Sequence, residues 1–574
     1  MRGHLKLFLL TAALLPIAGI APAQSGPVTY LDQGMAWTPA TRADFYTRDQ
    51  GAQMIPLAWL KALKSPDGQP FLADGLARYG YLPNPASAEG LPIGFTVAGP
   101  AGSRMTGMTC AACHTRQIVA NGQEYRVDGG PALSDFQTFL HDMDVAAGQV
   151  ANDNAAFTAF AAAVLGAHAP AARVAALKND FGLWYARWHA LMRGALPADP
   201  WGLGRLDAVS MIFNRLTGLD LGPPPTRIIA ANILPADAPV RYPFLWNAPI
   251  QDKTQWPGFS DNGDDLLALS RNLGEVYGVF GTYQPKKEWW HFFGINFLSG
   301  NSANFGGLGK LEGLVKKIGA PKWPWPLDPA LVARGKIIYE WPTAQGGCAD
   351  CHGQRPGKER FLFKKTWATP IMDVGTDSHE HDILAHTSNS GVLAGVQIPF
   401  GSKIQPTDKT FTLLGISVIG SILQHYTTPL LAQSRARHKA SGKTPTAPKL
   451  LPEQNELSGA FRGPAAGTGP TQFPYESRVL YGIWAAAPYL HNGSVATLAD
   501  LLKPAAQRPA SFPMGRYYDT HAVGLAADQH GSLYVRTTTG CEARNSGNSR
   551  CGHEYGTNLS PADKQALLEY LKSM

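Results

Sequence analysis

Two five-residue motifs constrain this chain more than anything else in it: Cys110-Ala-Ala-Cys113-His114 and Cys348-Ala-Asp-Cys351-His352. With only 6 Cys and 16 His among 574 residues, composition alone would supply about 0.002 matches to Cys-x-x-Cys-His per chain. Two copies therefore mark chemistry. A c-type haem explains the spacing. Each cysteine adds to a porphyrin vinyl group, the two intervening residues let both sulfurs reach one edge of the ring, and the next residue, histidine, lies under the iron. Zinc would need a tetrahedral ligand set in matched halves, and a redox dithiol needs no histidine at that place. The motifs therefore predict two covalently bound c-type haems, with His114 and His352 as proximal ligands. Any fold for this chain must build two pockets for them.

Such haems are attached outside the bacterial cytoplasm, and the N-terminus reads as an export signal. Arg2 and Lys6 are followed by an apolar run, residues 7–20, and by the small-x-small site Ala21-Pro22-Ala23. Cleavage is expected after Ala23, leaving a periplasmic or secreted protein. No later stretch has the length and apolarity of a membrane span. The formal charge of +7 is spread without a basic block, which argues against nucleic acid as a partner.

Local patterns suggest a mainly α fold with long irregular loops, organised as two cytochrome c-like haem domains plus insertions. A helix is expected from Pro56, with Trp59, Leu60 and Leu63 on one face. Ser134 is a candidate cap for the Ala-rich helical region 134–200, which Pro170 should split. Residues 201–320 hold an aromatic, Pro-rich stretch expected to be irregular, then "SRNLGEVYGVFG", which reads as a helix. Asp328 and Pro329 begin a helix ahead of the second motif. Ser560, Pro561 and Asp563 begin a terminal helix with Leu567, Leu568 and Leu571 on its apolar face. The expected division is a signal peptide (1–23), an N-terminal haem domain with cap and insertions (24–321), and a C-terminal cytochrome c-like haem domain (322–574). The stretch 429–475, rich in Pro, Ala and Gly, reads as an insertion within the latter.

A third stretch, "LYGIWAAAPYLHNGSVATLADLL" (480–502), together with the two motifs, resembles the bacterial di-haem cytochrome c peroxidase superfamily, which includes the MauG-type enzymes. "RYGYLP", "GLPIGF", "TCAACHTRQI", "RVDGGPALSDF", "RNLGEVYGVFG" and "GHEYGT" resemble its rubber-oxygenase-like branch. The resemblance implies that the haem on His114 is the reactive centre and that the second relays electrons. Ordinary peroxidases of the superfamily place a ligating histidine soon after the first motif. None stands between Thr115 and Leu140, and His141 is the next. The resemblance implies His553 as sixth ligand of the second haem, with Met514 as the alternative. It implies a role for His491 in a pocket or between the haems, and an aromatic wall at the first haem, for which Phe244, Trp246, Trp256 and Phe259 are candidates. That wall is expected to supply no acid–base groups.

Cys541 and Cys551 remain after haem attachment and are expected to pair in an oxidising compartment. The function implied is that of a di-haem oxidoreductase. Its first haem would react with peroxide or oxygen, acting as a peroxidase or as an oxygenase of an apolar substrate. A small donor protein, a cytochrome or cupredoxin, would supply electrons. The competing readings are a non-catalytic di-haem electron-transfer cytochrome and a MauG-like enzyme acting on another protein. Calcium lies between the domains in relatives of the superfamily, but no loop of this chain compels it.

Overall fold

A computed structural model describes residues 27–360, 364–398, 401–441, 472–532 and 534–574. The expected signal segment lies outside them.

The second motif is gripped by the helices that its flanking sequence predicts. Asp328 caps the helix Pro329–Tyr339, accepting from the backbone N–H groups of Ala330 (2.8 Å) and Leu331 (3.1 Å). Ser560 caps the terminal helix Pro561–Ser573 through the Asp563 N–H at 3.2 Å. Capping satisfies donors that the first helical turn would otherwise leave open. The two helices cross at Gly335, where a Cβ would stand 2.0 Å from the carbonyl oxygen of Ala566. Only glycine permits that approach. Ile338, Leu567 and Leu571 close the contact, and Arg334 pairs with Asp563 at 2.8 Å.

The first motif has a different setting. The strand Met105–Met108 pairs with Ile55–Pro56 and Phe95–Ala98, and leads into a single helical turn, Cys110–Cys113. The chain leaves as the strand Thr115–Ala120, which pairs antiparallel with Gln123–Asp128. The latter also takes Thr29–Tyr30 in parallel. The turn of the first motif thus lies between two small sheets, not between long helices.

The expectation of a mainly α fold is therefore corrected. Among the described residues, helices hold 39% and strands 15%, and the strands form many small sheets of two or three. The 61 Gly and 45 Pro explain the pattern. Proline removes a donor and fixes φ, and glycine favours turns, so short segments pair locally where longer helices cannot continue.

Elsewhere the local signals hold with small shifts. The helix near Pro56 spans Leu57–Ala62, with Pro56 at its N-cap and Leu60 buried. The Ala-rich region forms helices Phe136–Asn152, Asn154–Leu165 and Ala171–Ala195, with Pro170 at the cap of the third. Asp135, not Ser134, caps the first of these, and Ser134 is buried. Asp153 makes a further break by capping the second through the Ala156 N–H at 2.7 Å. "SRNLGEVYGVFG" falls on the helix Asp265–Gly278. The helix Thr410–Ser441 enters the start of the insertion-like stretch 429–475. Residues 442–471 lie outside the described residues. Among the described residues, no helix is long and apolar enough to cross a membrane.

One apolar cluster draws on both ends of the chain, joining Leu31, Trp37 and Phe45 to Trp484, Leu567 and Leu571. A second packs under the helices of residues 136–195, and a third surrounds the start of the helix Thr410–Ser441.

Gly335→Ala should force the two helices apart at the second motif. A loss of about 1–3 kcal/mol is expected, read as a lower denaturant midpoint. An unchanged midpoint would mean that the crossing relaxes freely.

Candidate functional site

Each motif opens on its own cleft. In the first, His114 is the C-cap of the Cys110–Cys113 turn, and its Nδ1 lies 2.9 Å from the carbonyl oxygen of Pro243. A donated hydrogen bond there fixes the ring and leaves Nε2 facing the cleft. Burial holds the His114 pKa down at about 4, so the imidazole is neutral. Burial likewise pushes the Cys110 and Cys113 thiols up to about 12, and neither is in a disulfide. Counting the space open to solvent, the cleft spans about 1420 Å³.

The second motif repeats the device. His352 closes the turn Ala349–His352, and its Nδ1 lies 2.8 Å from the carbonyl oxygen of Arg478. Its cleft, about 1260 Å³, holds Cys348, Cys351, His352 and His553 together. The His352 and His553 rings stand 6.1 Å apart, centre to centre. Two imidazoles sharing one metal ion at roughly 2 Å from each ring nitrogen would be separated by about this much. Nδ1 of His553 is buried without a hydrogen-bond partner. Burial, reinforced by His352 and Arg508, lowers the His553 pKa to about 3. The residues therefore fit a c-type haem with an imidazole on either side. Among the described residues, no three His, Cys, Asp or Glu side chains converge to hold a bare metal ion.

His553 is held by its loop. The Cys541–Cys551 disulfide is present, as the leftover cysteines imply. Arg508, buried, donates to the carbonyl oxygens of Arg550 (2.7 Å), Gly552 (2.7 Å) and His553 (3.1 Å). The His553 N–H donates to Val374 O at 2.8 Å.

The other predicted residues divide between the clefts. Phe244 and Trp256 line both, together with Arg241 and Arg478, so these four form the wall between them. Trp246 lines neither. It stacks behind Phe244 at 4.9 Å and donates from Nε1 to Tyr481 O. Phe259 lies in a side chamber and meets Phe411 edge-on at 5.5 Å. His491 lines the second cleft, buried and stacked on Tyr475 at 3.8 Å. Met514 is buried in the core and does not line the second cleft, where Met372 stands instead. His141 is exposed beside Asp142 and far from use as a ligand.

The wall at the first motif is not purely aromatic. Gln255, Arg271, Glu275 and Glu312 line the same cleft. Gln255 donates to Glu275 Oε1 at 2.9 Å, and Arg271 donates to Glu312 Oε1 at 2.7 Å. Burial raises the Glu275 pKa. Ile212, Gln255, Arg271 and Glu275 also border the side chamber, about 880 Å³, whose walls include Val209, Phe213, Phe259, Phe411 and Leu414. The one signal for these groups was Glu275 within "RNLGEVYGVFG", one helical turn after Arg271. The positions of Gln255, Arg478 and Arg508 carried none.

Comparison with known proteins bears on this arrangement. Residues 474–513 match the family described as RoxA-like, cytochrome c-like. That segment contains Tyr475, Glu476, Arg478 and His491. The uncharacterized protein y4iJ of Sinorhizobium fredii (strain NBRC 101917 / NGR234) is 30% identical over 614 aligned positions, covering 95% of this chain and 93% of its own. This chain belongs to the y4iJ family. A second uncharacterized protein of that organism, y4iM, is 27% identical over 318 positions, covering 54% of this chain and 56% of its own. The RoxA-like, cytochrome c-like segment of this y4iJ-family member implies a c-type haem and a haem-containing oxidoreductase.

Arg508→Ala should remove the donor to the carbonyl oxygens of Arg550, Gly552 and His553, as well as to those of Leu501 and Lys503, and free the loop carrying His553. A loss of about 2–4 kcal/mol is expected from chemical denaturation, with Arg508→Lys recovering only part of it. Equal stability of all three proteins would show that the loop is held by the disulfide alone.

Proposed function

We propose that the protein is an extracytoplasmic, periplasmic di-haem oxidoreductase of the peroxidase and MauG kind with two unequal centres. The centre held by Cys110, Cys113 and His114 takes up peroxide or oxygen. The centre held by Cys348, Cys351 and His352, with His553 opposite, relays electrons from a small donor protein, a cytochrome or cupredoxin. One observation carries this reading. An imidazole faces His352 across the second cleft, whereas among the described residues lining the first cleft His114 is the sole histidine.

A c-type haem held by Cys110, Cys113 and His114, and another held by Cys348, Cys351 and His352, would supply iron able to exchange electrons and to bind peroxide or oxygen. The chain's own groups supply the rest. Pro243 and Arg478 each hold one proximal imidazole by its Nδ1. Gln255 occupies Glu275 Oε1, which leaves Oε2 to take a proton from a peroxide in the cleft and return it. The side chamber accepts the substrate. Its apolar walls support oxidative cleavage of an unsaturated apolar molecule over the oxidation of a polar one. The aromatic residues Phe244 and Trp256, shared by both clefts, give the two centres a common dry wall.

The decisive experiment is electron paramagnetic resonance of the oxidised holoprotein beside His553→Ala. One high-spin and one low-spin signal are expected, with the low-spin signal lost in the variant. Two low-spin signals, unchanged by peroxide, would leave an electron carrier instead. A second outcome concerns Glu275. Its raised pKa makes it ionise late, so the rate of reaction with peroxide should climb with pH through that raised value. Glu275→Gln should flatten the profile and slow the reaction by about a hundredfold or more, followed by stopped-flow absorbance.

A further inference from the structure

A hairpin remote from this chemistry presents two indoles to solvent. Trp289 and Trp290 are 86% and 65% exposed, the highest values for any Trp, Tyr or Phe among the described residues. They sit in the turn between the strands Lys286–Lys287 and Ile295–Asn296, with their rings edge-on at 5.9 Å. The turn is built, not loose. The Glu288 N–H donates to Gly294 O, and the Gly294 N–H donates to His291 O. The Glu288 carboxylate, the one acid of the hairpin, is engaged by Asn296 Nδ2 and lies 3.0 Å from His291 Nε2.

The stem is rooted in the core. Ile295 and Phe297 are buried against the helix Thr410–Ser441. Gln424 from that helix accepts from the Phe297 N–H at 2.8 Å and donates to Ile295 O. Gly420 gives the Phe297 ring its room, because a Cβ there would stand 2.6 Å from it. The same helix supplies Phe411, Leu414 and Val418 to the side chamber.

The stem is also cationic. Lys286 and Lys287 are exposed and border an open surface groove of about 1160 Å³. Its floor includes Leu221, Ile228, Ile229 and Val392. Arg227 is its third cation, and no Asp or Glu lines it. Apolar rings thus occupy the turn while two exposed lysines occupy the stem, Lys287 donating to Ala394 O at 3.1 Å. This is the order met on entering an anionic bilayer from its apolar boundary outward, where indoles favour the headgroup level and lysines favour lipid phosphates. A protein partner of the usual kind would bury such rings in a fitted pocket, and nothing on the hairpin favours that.

We propose that this hairpin docks the protein peripherally on an anionic phospholipid surface, with Trp289 and Trp290 at the headgroup–acyl boundary and Lys286 and Lys287 on the phosphates. Rooting on the helix that walls the side chamber places the docking device one element away from the proposed site for an apolar substrate. The docking does not depend on how the two clefts react.

The test uses the holoprotein in flotation with vesicles of phosphatidylcholine alone, and of phosphatidylcholine and phosphatidylglycerol in equal parts. Binding to the mixed vesicles should exceed binding to the neutral ones by about tenfold and fall with salt. Trp289→Ala with Trp290→Ala should lower binding to the mixed vesicles by about tenfold or more. Lys286→Glu with Lys287→Glu should remove the preference for anionic lipid. Haem absorbance and melting should be unchanged in both, since these side chains are exposed. Equal binding by the wild type and the Trp variant, or no binding by the wild type, would overturn the proposal. So would a wild-type dimer that becomes a monomer in the Trp variant without vesicle binding, which would assign the face to a second copy of the chain.

Discussion

Arg478 carries a buried positive charge into the wall between the two clefts, and the histidines of both motifs, His114 and His352, are oriented by what that wall contains. Its guanidinium donates to Glu476 at 3.0 Å and to Phe244 O at 3.1 Å, and lies over the Phe244 and Trp256 rings. Its own carbonyl oxygen receives His352, while Pro243, next to Phe244, receives His114. Breaking a buried ion pair of this kind leaves an uncompensated charge and costs about 3–5 kcal/mol. The wall is thus a single hydrogen-bonded unit made from segments more than two hundred residues apart, and neither cleft has its geometry without it.

From that shared wall the two clefts diverge. On the second side, the loop after Cys551 is drawn in by Arg508 and presents His553 to His352. On the first side the facing groups are Gln255, Arg271, Glu275 and Glu312, and beyond them an apolar chamber. One motif repeated in the chain therefore meets two environments. The difference comes from which long-range segments arrive opposite each histidine, and it underlies the proposed division of labour.

Much of the local structure was legible residue by residue. Asp328-Pro329 and Ser560-Pro561 mark helix starts because a side-chain acceptor and a fixed φ suit the first turn. Pro170 marks a break because proline cannot continue a helix, and it stands at the cap of Ala171–Ala195, whereas the break at Asp153 was not read from the sequence. The aggregate fold was less legible. A composition rich in Gly and Pro was read as long loops between helices, whereas many of those segments pair as short strands, and strand pairing depends on partners far along the chain. The helix Thr410–Ser441 carries few polar interruptions at its start, and it gains its place from the core around Tyr277 and Phe297.

The same boundary runs through the site. The two Cys-x-x-Cys-His motifs could be read from residue order, because each brings two cysteines and a histidine together within about one helical turn. The Cys541–Cys551 pair was legible by elimination. Which aromatic residues line a cleft, that Trp246 stands behind Phe244 rather than in the cleft, and that a carboxyl group faces the first motif were all decided by tertiary packing. Short-range chemistry leaves its pattern in neighbouring residues. The environment opposite each motif histidine is assembled from distant ones, and only the folded chain brings them together.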